Sequence, residues 1–506
     1  MTNTRQINIL DFGAVADGVT LNTLPIQKAL DAAGEAGGGV VVVPPGVYLL
    51  GTIFLRANTT LRLEAGATLL GSPRLSDYAA MTWGAVGDRT PWHLVVAKDV
   101  HHVCIEGMGT IDGNGPAFWE PTIPLPGGDG SPLTVIPARE PDPARGAVSW
   151  IKHLQNQRPS PMIEITNCQD VRIENIHITN SAGWCLHLHD CDRCQVRGVR
   201  LTTNLMGPNN DGFDITGCRD VIISNCNISC CDDAICLKNT PDSRGTERIT
   251  VTNCVIRTRC AAIKTGESYT GPMRQIAISN CVIYECSRAI ALYSHSGAIV
   301  EDVTISNIVC DTRSPLMVNR PIQLYVVQRK DNPVGAIRNV SISNFIARTD
   351  GRILLTAQPG AMLENITLRD VHLIYPTVDD PDPVGREMTS GQYALANPAA
   401  CVARGAVVAE NIYNLVIDGL MITWHAAGDA DGEQPCPPEW YFPLKAANGM
   451  FRLFERAEFN HDRIPDYSVL WGRNLQGGLV RAPLAQPSRV GVKKFDLENS
   501  TIQIQP

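Results

Sequence analysis

The chain has 506 residues, of which 19% are charged and 6% aromatic, and it is rich in glycine (43) and proline (34). This composition is typical of a turn-rich β protein with a large core, and it excludes a disordered or mainly helical chain. The net charge of −8 argues against binding to nucleic acid or to an anionic membrane surface, whereas a local basic patch would still allow an acidic polysaccharide to bind.

The amino terminus, MTNTRQINILDFGAV, has neither the charged nor the apolar segment of a secretory signal, and no stretch approaches the ~18 apolar residues of a membrane span. The 17 cysteines lack paired zinc spacing, so we predict no metal and no cofactor. We interpret most of them as small apolar residues stacked inside the fold of a cytoplasmic protein, with secretion left open if a signal was removed. The cysteines that recur at matching points of a repeat are Cys168, Cys191, Cys218, Cys226, Cys254 and Cys281.

Residues 6 to 56 predict a strand, a loop, a helix and a buried strand in that order. The helical periodicity covers Leu24 to Ala36, a run of three glycines ends it, and the apolar run Val40 to Val43 follows. A helix in this place would cap the open end of a solenoid, where the first coil would otherwise expose its core and its strand edges.

From Pro161 onward the sequence repeats alternating β-branched segments, each with a turn residue that tolerates a left-handed backbone. A period of about 20 to 50 residues indicates a solenoid, and helix-forming stretches are missing from these repeats. We therefore predict an all-β fold, a right-handed parallel β-helix, in which asparagines in register form a hydrogen-bonded ladder. The turn positions Asn175, Gly198, Asn225, Asn253, Asn280, Asn307 and Asn344 are 23, 27, 28, 27, 27 and 37 residues apart.

The β-helix domain is predicted to span residues 1–423, with proline- and glycine-rich insertions at 118–160 and 376–405. Residues 424–506 leave the strict repeat, and we predict an extension that packs on the helix or caps its end. Long loops on a rigid scaffold often shape a binding site. Arg158, in the first insertion, is therefore a candidate for contact with a substrate, and a merely structural flap is the alternative interpretation of this insertion.

The stretch from Asn209 to Lys238 carries Asp211, Asp232 and Asp233 inside strand-like sequence. Asp211 and Asp232 are 21 residues apart, close to one repeat, so in a parallel coil they would stack at a spacing of ~4.8 Å. Three carboxylates on one face repel each other, which is costly unless they serve a function. The structural alternative is that each aspartate bonds its own backbone in a turn, but three at the spacing of one coil favour a functional site.

The segments GTIDGNG, PNNDGFDI and CDDAICLK resemble the polygalacturonase-like glycoside hydrolases of family 28. The resemblance implies a right-handed parallel β-helix that hydrolyses glycosidic bonds of pectin with inversion. It implies that Asp232 is the general acid and that Asp211 and Asp233 hold and activate the water. Such hydrolysis needs two carboxyl groups about 6.5–9.5 Å apart, and crowding of like charges keeps one of them protonated. The family motif N-x-D-G-[IF]-D, followed by a D-D pair, is matched by Asn209, Asp211, Gly212, Asp214, Asp232 and Asp233.

Two departures from the family pattern concern the substrate. Where family members carry G-H-G and I-G-S-E, residues 259–267 read RCAAIKTGE, so the histidine that supports the acid is absent. Where they carry the R-I-K clamp for a galacturonate carboxylate, residues 289–293 read AIALY. The clamp is lost unless Lys264, Arg257 or Arg288 replaces it. The predicted substrate-binding residues are Asn209, Lys238, Lys264, Glu267, Arg158 and Tyr293.

We expect a glycosidase that cleaves pectin-derived oligo- or polysaccharides of the galacturonan or rhamnogalacturonan type, with exo action. The lost clamp favours a rhamnogalacturonan-type, neutral or short substrate. The alternatives are a β-helical polysaccharide lyase, which would release an unsaturated uronide, and a non-catalytic carbohydrate-binding solenoid. His187 and His189 alternate in one strand, which allows a metal site, but a position in a groove wall is favoured. A carbohydrate is the expected partner, with no nucleic acid and no membrane, and the oligomeric state stays open.

Overall fold

The computed structural model describes residues 5–85, 89–119, 157–205, 207–312, 319–375, 399–400, 403–424 and 466–505, together with the backbone of two short strands within 120–156. The chain folds as two compact units. The first comprises Met1–Thr122, Trp150–Cys236 and Asp242–Val255, and the second comprises Ile123–Ser149, Leu237–Pro241 and Ile256–Pro506. Most of both predicted insertions, and residues 425–465 of the predicted extension, lie outside the described residues.

The predicted helix is present at Thr23–Glu35, next to the first strands of the first unit. It buries Ile26, Ala29, Leu30 and Ala33, whose spacing places them on a single helical face. This face packs on the strands that follow it in the chain, as expected for a helix that covers the first coils. Three short 3-10 helices, also in this unit, are Ile9–Phe12, Leu75–Asp77 and Gly115–Phe118.

The first unit is a stack of parallel coils with three strands to a turn. Ile163–Thr166 pairs in parallel with Leu186–His189, and that strand pairs in parallel with Phe213–Thr216. The second and third strands of the same coils pair in the same way. Two strands, Ile235–Asn239 and Val255–Thr258, contain residues of both units. The remaining strands of the first unit are Gln6–Asn8, Asp17–Leu21, Gly39–Val43, Gly46–Leu50, Ile53–Phe54, Thr59–Leu63, Ala67–Gly71, Val95–Lys98, His101–Gly107, Thr110–Asp112, Gln169–Glu174, His177–Thr179, Asp192–Arg197, Arg200–Thr202, Arg219–Ser224, Asn227–Cys230 and Thr246–Thr252.

Along three stacked strands of the first unit, apolar residues that face the core alternate with polar residues that face the opposite side of the sheet. Since successive side chains of a strand point to opposite sides, the apolar residues at every other position line the interior, and all are fully buried. The residues between them are polar, yet they are buried as well. The interior set is Ile163, Ile165, Leu186, Leu188, Phe213 and Ile215, and the polar set is Glu164, Thr166, His187, His189, Asp214 and Thr216.

The second unit is also built of parallel coils, and its strands are longer. Gly405–Asp418 pairs in parallel with Ser468–Arg481, which pairs in parallel with Phe495–Glu498 and Gln503–Gln505. In its described part, the predicted extension thus continues the ladder instead of leaving the repeat. Ile123–Pro124 and Thr134–Val135 form a separate antiparallel pair. The other strands of this unit are Ala261–Tyr284, Arg288–Ser294, Ser296–Thr312, Arg320–Val326, Ala336–Thr349, Ile353–Ala357, Leu363–Tyr375 and Met421–Trp424.

The predicted asparagine turns are confirmed, and they form ladders within each unit. All seven turn positions have a positive φ, between 51° and 64°. In the second unit the amide of Asn307 donates to Asn280 (2.9 Å), and the amide of Asn344 donates to Asn307 (3.1 Å). In the first unit Asn253 donates to Asn225 (3.3 Å). Each coil therefore repeats the same corner, although the chain between corners varies in length.

The described cysteines are free, and all of them except Cys104 are buried. The thiols of Cys191 and Cys218 donate to the carbonyl oxygens of Ile165 and Leu188, both at 3.3 Å. These cysteines fill the interior as small, weakly polar side chains, as predicted. Among the described helices, none has the length and apolarity needed to cross a membrane.

Candidate functional site

Asp211 lies across from the Asp232–Asp233 pair on neighbouring coils of the first unit. The amide of Asp232 donates to the carbonyl oxygen of Asn210 (3.4 Å), and the amide of Gly212 donates to the carbonyl oxygen of Asp233 (2.9 Å). Two residues thus oppose the single residue Asp211, which is the arrangement of a β-bulge. The predicted juxtaposition of the three aspartates at a spacing of one coil agrees with this register.

The three aspartates differ in their exposure to solvent. Asp211 and Asp233 are 4% and 3% exposed, whereas Asp232 is only half-buried. The carboxylate of Asp232 accepts a hydrogen bond from the amide of Asp233 (2.9 Å), and the Cys236 thiol lies 3.8 Å from Oδ2 of Asp233. Two carboxylates are therefore held inside the fold beside one that solvent reaches.

The residues next to Asp211 hold its backbone close to two neighbouring segments. The side-chain amide of Asn210 donates to the carbonyl oxygens of Ser181 (2.9 Å) and Gly183 (3.0 Å). A Cβ atom at Gly212 would lie 2.3 Å from the carbonyl oxygen of Ala234, a distance that no side chain accommodates without movement of the backbone. Asn210 and Gly212, the two neighbours of Asp211, therefore hold the backbone of Asp211 in position.

Beside the aspartates, a buried polar chain crosses three coils of the first unit. Nδ1 of His187 lies 2.8 Å from Oε2 of Glu164, and Nε2 of His187 lies 2.9 Å from Oγ1 of Thr216. Nη2 of Arg89 donates to the other oxygen of Glu164 (2.9 Å). Asp214 is the register partner of His187 on the next coil. His187 therefore lies one coil spacing from Asp214, which belongs to the aspartate motif.

Burial and the contacts between the side chains determine the protonation states of His187 and Glu164. Burial lowers the pKa of His187 to about 3, although the nearby charge of Glu164 opposes the shift. Burial alone would raise the pKa of Glu164, but its contacts with His187 and Arg89 outweigh that effect and hold the pKa well below its usual range. His187 is accordingly neutral, with its proton on Nδ1 donated to an ionised Glu164, while Nε2 accepts from the Thr216 hydroxyl. Neither ring nitrogen is left for a metal, and the fully buried His187 links neighbouring coils through its two hydrogen bonds.

At the edge of this chain a partly exposed acid lies near two buried bases. Oδ2 of Asp242 lies 3.5 Å from Nη1 of Arg89 and 3.7 Å from Nε2 of His189. The Asp242 side chain is 40% exposed, whereas those of Arg89 and His189 are 2% and 10% exposed. Both distances exceed that of a charge-assisted hydrogen bond, so both contacts are loose.

The first unit also contains two of the predicted substrate-binding residues. Arg158 is buried, and its carbonyl oxygen accepts a hydrogen bond from the Thr90 hydroxyl. Asn209 is half-buried and has a left-handed backbone (φ 48°). Asn209 is two residues from Asp211, so the two residues belong to the same segment before the strand Phe213–Thr216.

The second unit contains the other predicted binding residues. Lys264 is the register partner of Ala291, and Ala291 is the partner of Gln323. Nζ of Lys264 lies 5.7 Å from the centre of the Tyr293 ring, within cation–π range, and the Tyr293 hydroxyl donates to Oε1 of Gln323 (3.0 Å). The structure thus brings Lys264 and Tyr293 together. Lys238 is buried near the end of the strand Ile235–Asn239, and the side chain of Glu267 lies outside the described residues.

Two cationic side chains, those of Lys264 and Arg329, lie near the buried His295. Burial lowers the pKa of His295 to about 3, and the charges of Arg329 and Lys264 add to that shift. Burial, followed by the neighbouring Tyr293, raises the pKa of Tyr325. The rings of Tyr293 and Tyr325 lie 4.3 Å apart. Neutral aromatic side chains therefore surround a cationic amine in this part of the second unit.

Sequence reasoning missed Arg89, Glu164 and Asp242. Glu164 carries a signal in the repeat, because Glu164, His187 and Asp214 occupy the same register position in successive coils. Their spacings of 23 and 27 residues match the repeat. Arg89 and Asp242 lie in irregular segments between strands, where no periodicity marks them.

Comparison with known proteins places these observations in a wider context. A family model described as "Right handed beta helix region" matches residues 161–311, and one described as "Rhamnogalacturonase A/epimerase, pectate lyase-like" matches residues 6–82. A "Probable polygalacturonase" of Vitis vinifera is 27% identical over 314 residues, which cover 60% of this chain and 54% of that protein. An "Exo-poly-alpha-D-galacturonosidase" of Dickeya chrysanthemi is 29% identical over 255 residues, which cover 46% of this chain and 41% of that protein.

Among solved structures, the family 28 exopolygalacturonase of Yersinia enterocolitica is similar with a TM-score of 0.63 and 20% identity, covering 86% of this chain and 76% of that chain. These similarities confirm the right-handed parallel β-helix. They also confirm the predicted resemblance, since the curated relatives are named as polygalacturonases or as an exo-acting galacturonosidase. The chain spans about half the length of the curated relatives that it matches.

Proposed function

We propose that this chain, a divergent relative of the family 28 polygalacturonases, is an inverting glycoside hydrolase that acts on pectin-derived oligo- or polysaccharides. The observation that carries the proposal is the register of the first unit, in which Asp211 lies across from the Asp232–Asp233 pair. A non-catalytic solenoid has no need to hold two buried carboxylates beside a third. The cost of that arrangement is offset when the carboxylates hold a reacting water.

The roles follow from exposure and from the chemistry of inversion. Asp232, which solvent reaches, donates its proton to the glycosidic oxygen as the leaving sugar departs. Asp211 and Asp233, which are buried, accept hydrogen bonds from a water on the opposite face of the sugar ring and take up its proton as its oxygen bonds to the anomeric carbon. The water oxygen joins the anomeric carbon opposite the departing group, so the configuration inverts.

Two observations support a finer assignment of substrate and mode of action. A relative from Dickeya chrysanthemi is named as an exo-acting galacturonosidase, which supports release of sugars from a chain end. Lys264, one of the predicted binding residues, supports an acidic sugar, because a charge-assisted contact with a carboxylate is stronger than a neutral one. Asn209, two residues from Asp211, is a further proposed contact with the substrate.

The proposal is tested with a panel of galacturonan and rhamnogalacturonan oligosaccharides and product analysis by NMR. We expect one fresh product anomer, opposite in configuration to the cleaved bond, and release of one terminal unit at a time. Retention of configuration would contradict the inverting mechanism. An unsaturated uronide would assign a lyase, and binding to the whole panel without any turnover would assign a carbohydrate-binding protein.

A further inference from the structure

We infer that His101 and His102 form a binding site for a divalent transition-metal ion with right-angled coordination, Cu²⁺ in preference to Zn²⁺. Both side chains are exposed on the first unit, at the start of the strand His101–Gly107. Adjacent residues of a strand ordinarily point to opposite sides, so the sequence alone gives no indication of this site. The inference does not depend on the proposed function.

A left-handed backbone at His102 brings the two imidazole rings together. Its φ is 53°, so the side chain of His102 turns toward that of His101 instead of pointing away from it. The two Nδ1 atoms are 2.8 Å apart, and the ring centres are 5.0 Å apart. Since both side chains are exposed, an ion in solvent has an open path to both nitrogens.

The separation of the two Nδ1 atoms fits a right-angled metal site. Two metal–nitrogen bonds of ~2.0 Å place the nitrogens ~2.8 Å apart at a right angle and ~3.3 Å apart at a tetrahedral angle. Zn²⁺ prefers the tetrahedral arrangement, whereas Cu²⁺ and Ni²⁺ prefer square-planar or tetragonal sites with nitrogen and oxygen ligands. Cu²⁺ also binds most tightly in the series of first-row divalent ions. Two imidazoles with water at the other positions therefore suit Cu²⁺ best.

The protons of the two imidazoles allow both Nδ1 atoms to bind an ion. Oδ2 of Asp170 lies 3.7 Å from Nε2 of His102, which favours the tautomer of His102 with its proton on Nε2. Nδ1 of His102 then accepts the hydrogen bond that Nδ1 of His101 donates. When the ion binds, the proton of His101 moves through solvent from Nδ1 to Nε2, so no net proton is released. Rotation about χ2, a soft torsion in histidine, turns both lone pairs toward the ion.

A ladder of alternating charges along the same corner supports a cation at His102. Arg193 donates to both carboxylate oxygens of Asp170 (2.8 and 2.9 Å), and Arg248 donates to both of Asp220 (2.6 and 3.2 Å). The hydrogen bond from Arg193, with the charges of His102 and His101, lowers the pKa of Asp170, so this carboxylate is ionised. An ion at the two histidines would supply the next positive charge of the ladder. Its members lie at one corner of successive coils with φ between 53° and 58°: His102, Asp170, Arg193, Asp220 and Arg248.

The test is a calorimetric titration of the full chain, freed of metal with a chelator, with Cu²⁺, Ni²⁺ and Zn²⁺ near neutral pH. Electron paramagnetic resonance of the wild type with one equivalent of Cu²⁺ counts the coordinated nitrogens. The variants His101→Gln and His102→Asn each remove one imidazole, and asparagine tolerates the left-handed backbone at residue 102. His177→Gln is the matched control, because His177 is a half-buried histidine on a strand of the same unit with no histidine beside it in the sequence.

We expect the wild type to have one strong Cu²⁺ site whose spectrum shows two imidazole nitrogens, with weaker binding of Ni²⁺ and Zn²⁺. His101→Gln and His102→Asn should both lose this site, whereas His177→Gln should keep it. Asp170→Asn should weaken Cu²⁺ binding about tenfold, the lower end of the range for a residue that orients a metal ligand.

Three results would overturn the inference. They are a wild-type spectrum with fewer than two imidazole nitrogens, a strong site that survives in both His101→Gln and His102→Asn, and tighter binding of Zn²⁺ than of Cu²⁺. The first and third results come from the wild type alone, so they do not depend on the folding of a variant.

Discussion

Nδ1 of His187 lies 2.8 Å from Oε2 of Glu164, and both side chains are fully buried. The imidazole is neutral and the carboxylate is ionised, so the pair is held together by a charge-assisted hydrogen bond and by Arg89 on the other oxygen. Protonation of His187 would place an additional charge in the interior. This relationship makes the stability of the first unit depend on pH.

The free energy of unfolding should fall as the pH decreases from about 6.5 to about 3. The unfolded chain binds a proton at His187 below the ordinary pKa of 6.5, whereas burial lowers the pKa of His187 in the folded state to about 3. Stability that is present above pH 6.5 is therefore lost across this window, at up to ~1.4 kcal/mol per pH unit. In urea unfolding at several pH values, His187→Asn, which keeps an amide donor for Glu164, should show a shallower slope. The exposed His102→Asn is the control, and equal slopes in both variants would contradict the prediction.

Asp232→Asn and Asp211→Asn should both reduce the turnover of pectic oligosaccharides, by about 10²–10⁴-fold for the loss of the general acid. They should differ on an aryl glycoside whose leaving group needs little protonation. That substrate should restore much of the activity of Asp232→Asn, because the missing proton matters less, and little of the activity of Asp211→Asn. Initial rates on the two substrates give the comparison, with Asp220→Asn as the control. Equal rescue of both variants would exclude the assigned roles.

Lys264→Met should raise KM for acidic oligosaccharides about 10- to 100-fold, the range expected for loss of a hydrogen bond to a charged group. Methionine keeps the length of the side chain and its contact with Tyr293 but removes the charge. Steady-state kinetics on galacturonan oligosaccharides, and on the same oligosaccharides reduced to neutral sugars, separate charge from shape. Lys28→Met, on the amino-terminal helix, is the control. A similar rise in KM for the neutral substrates would show that Lys264 acts through packing.

Asn307→Ala should destabilise the second unit more than Asn307→Gly. Asn307 has a φ of 55°, donates to Asn280 and accepts from Asn344. Alanine loses both hydrogen bonds and adds ~1 kcal/mol of backbone strain, whereas glycine loses only the hydrogen bonds, worth ~0.5 kcal/mol each. Urea unfolding monitored by circular dichroism measures both variants. Equal stability of the two variants would show that the left-handed backbone at residue 307 does not affect the free energy of unfolding.

Gly212→Ala should lower both stability and activity. The added Cβ would meet the carbonyl oxygen of Ala234 at 2.3 Å, so the coil that holds Asp211 must move, at a cost of ~1–3 kcal/mol. Gly360→Ala is the comparison, because a Cβ there meets open space and only backbone strain results from φ +85°. Thermal unfolding and oligosaccharide turnover are measured for both. Full activity in Gly212→Ala would show that the close approach does not position Asp211.

Much of the fold can be predicted from the sequence because each coil of a β-helix depends on the same short-range residue patterns. The asparagine corners, the buried cysteines and the amino-terminal helix each have a short-range cause, and each is present as predicted. The alignment of Asp211 with the Asp232–Asp233 pair follows from the same period. The continuation of the ladder at Ser468–Arg481 was missed, because the chain from Met421–Trp424 to this strand is long and the repeat spacing is lost.

The buried charge network is harder to predict because it depends on contacts between irregular segments and strands. From the sequence, His187 is a candidate for a groove wall or a metal site, yet its two ring nitrogens form hydrogen bonds with Glu164 and Thr216. The partners that define the role of Arg89 are 75 and 153 residues away in the chain. No local pattern connects such positions, so their role emerges only from the packing.

The asparagine corners give the second unit a way to change its surface without changing its scaffold. Asn280 and Asn307 are 27 residues apart, and Asn307 and Asn344 are 37 apart, yet both pairs form the same contact at 2.9 and 3.1 Å. Ten additional residues are accommodated between two corners while the rungs stay aligned. A single turn can thus be lengthened at a time, which changes the surface of the second unit while the strands on either side stay in register.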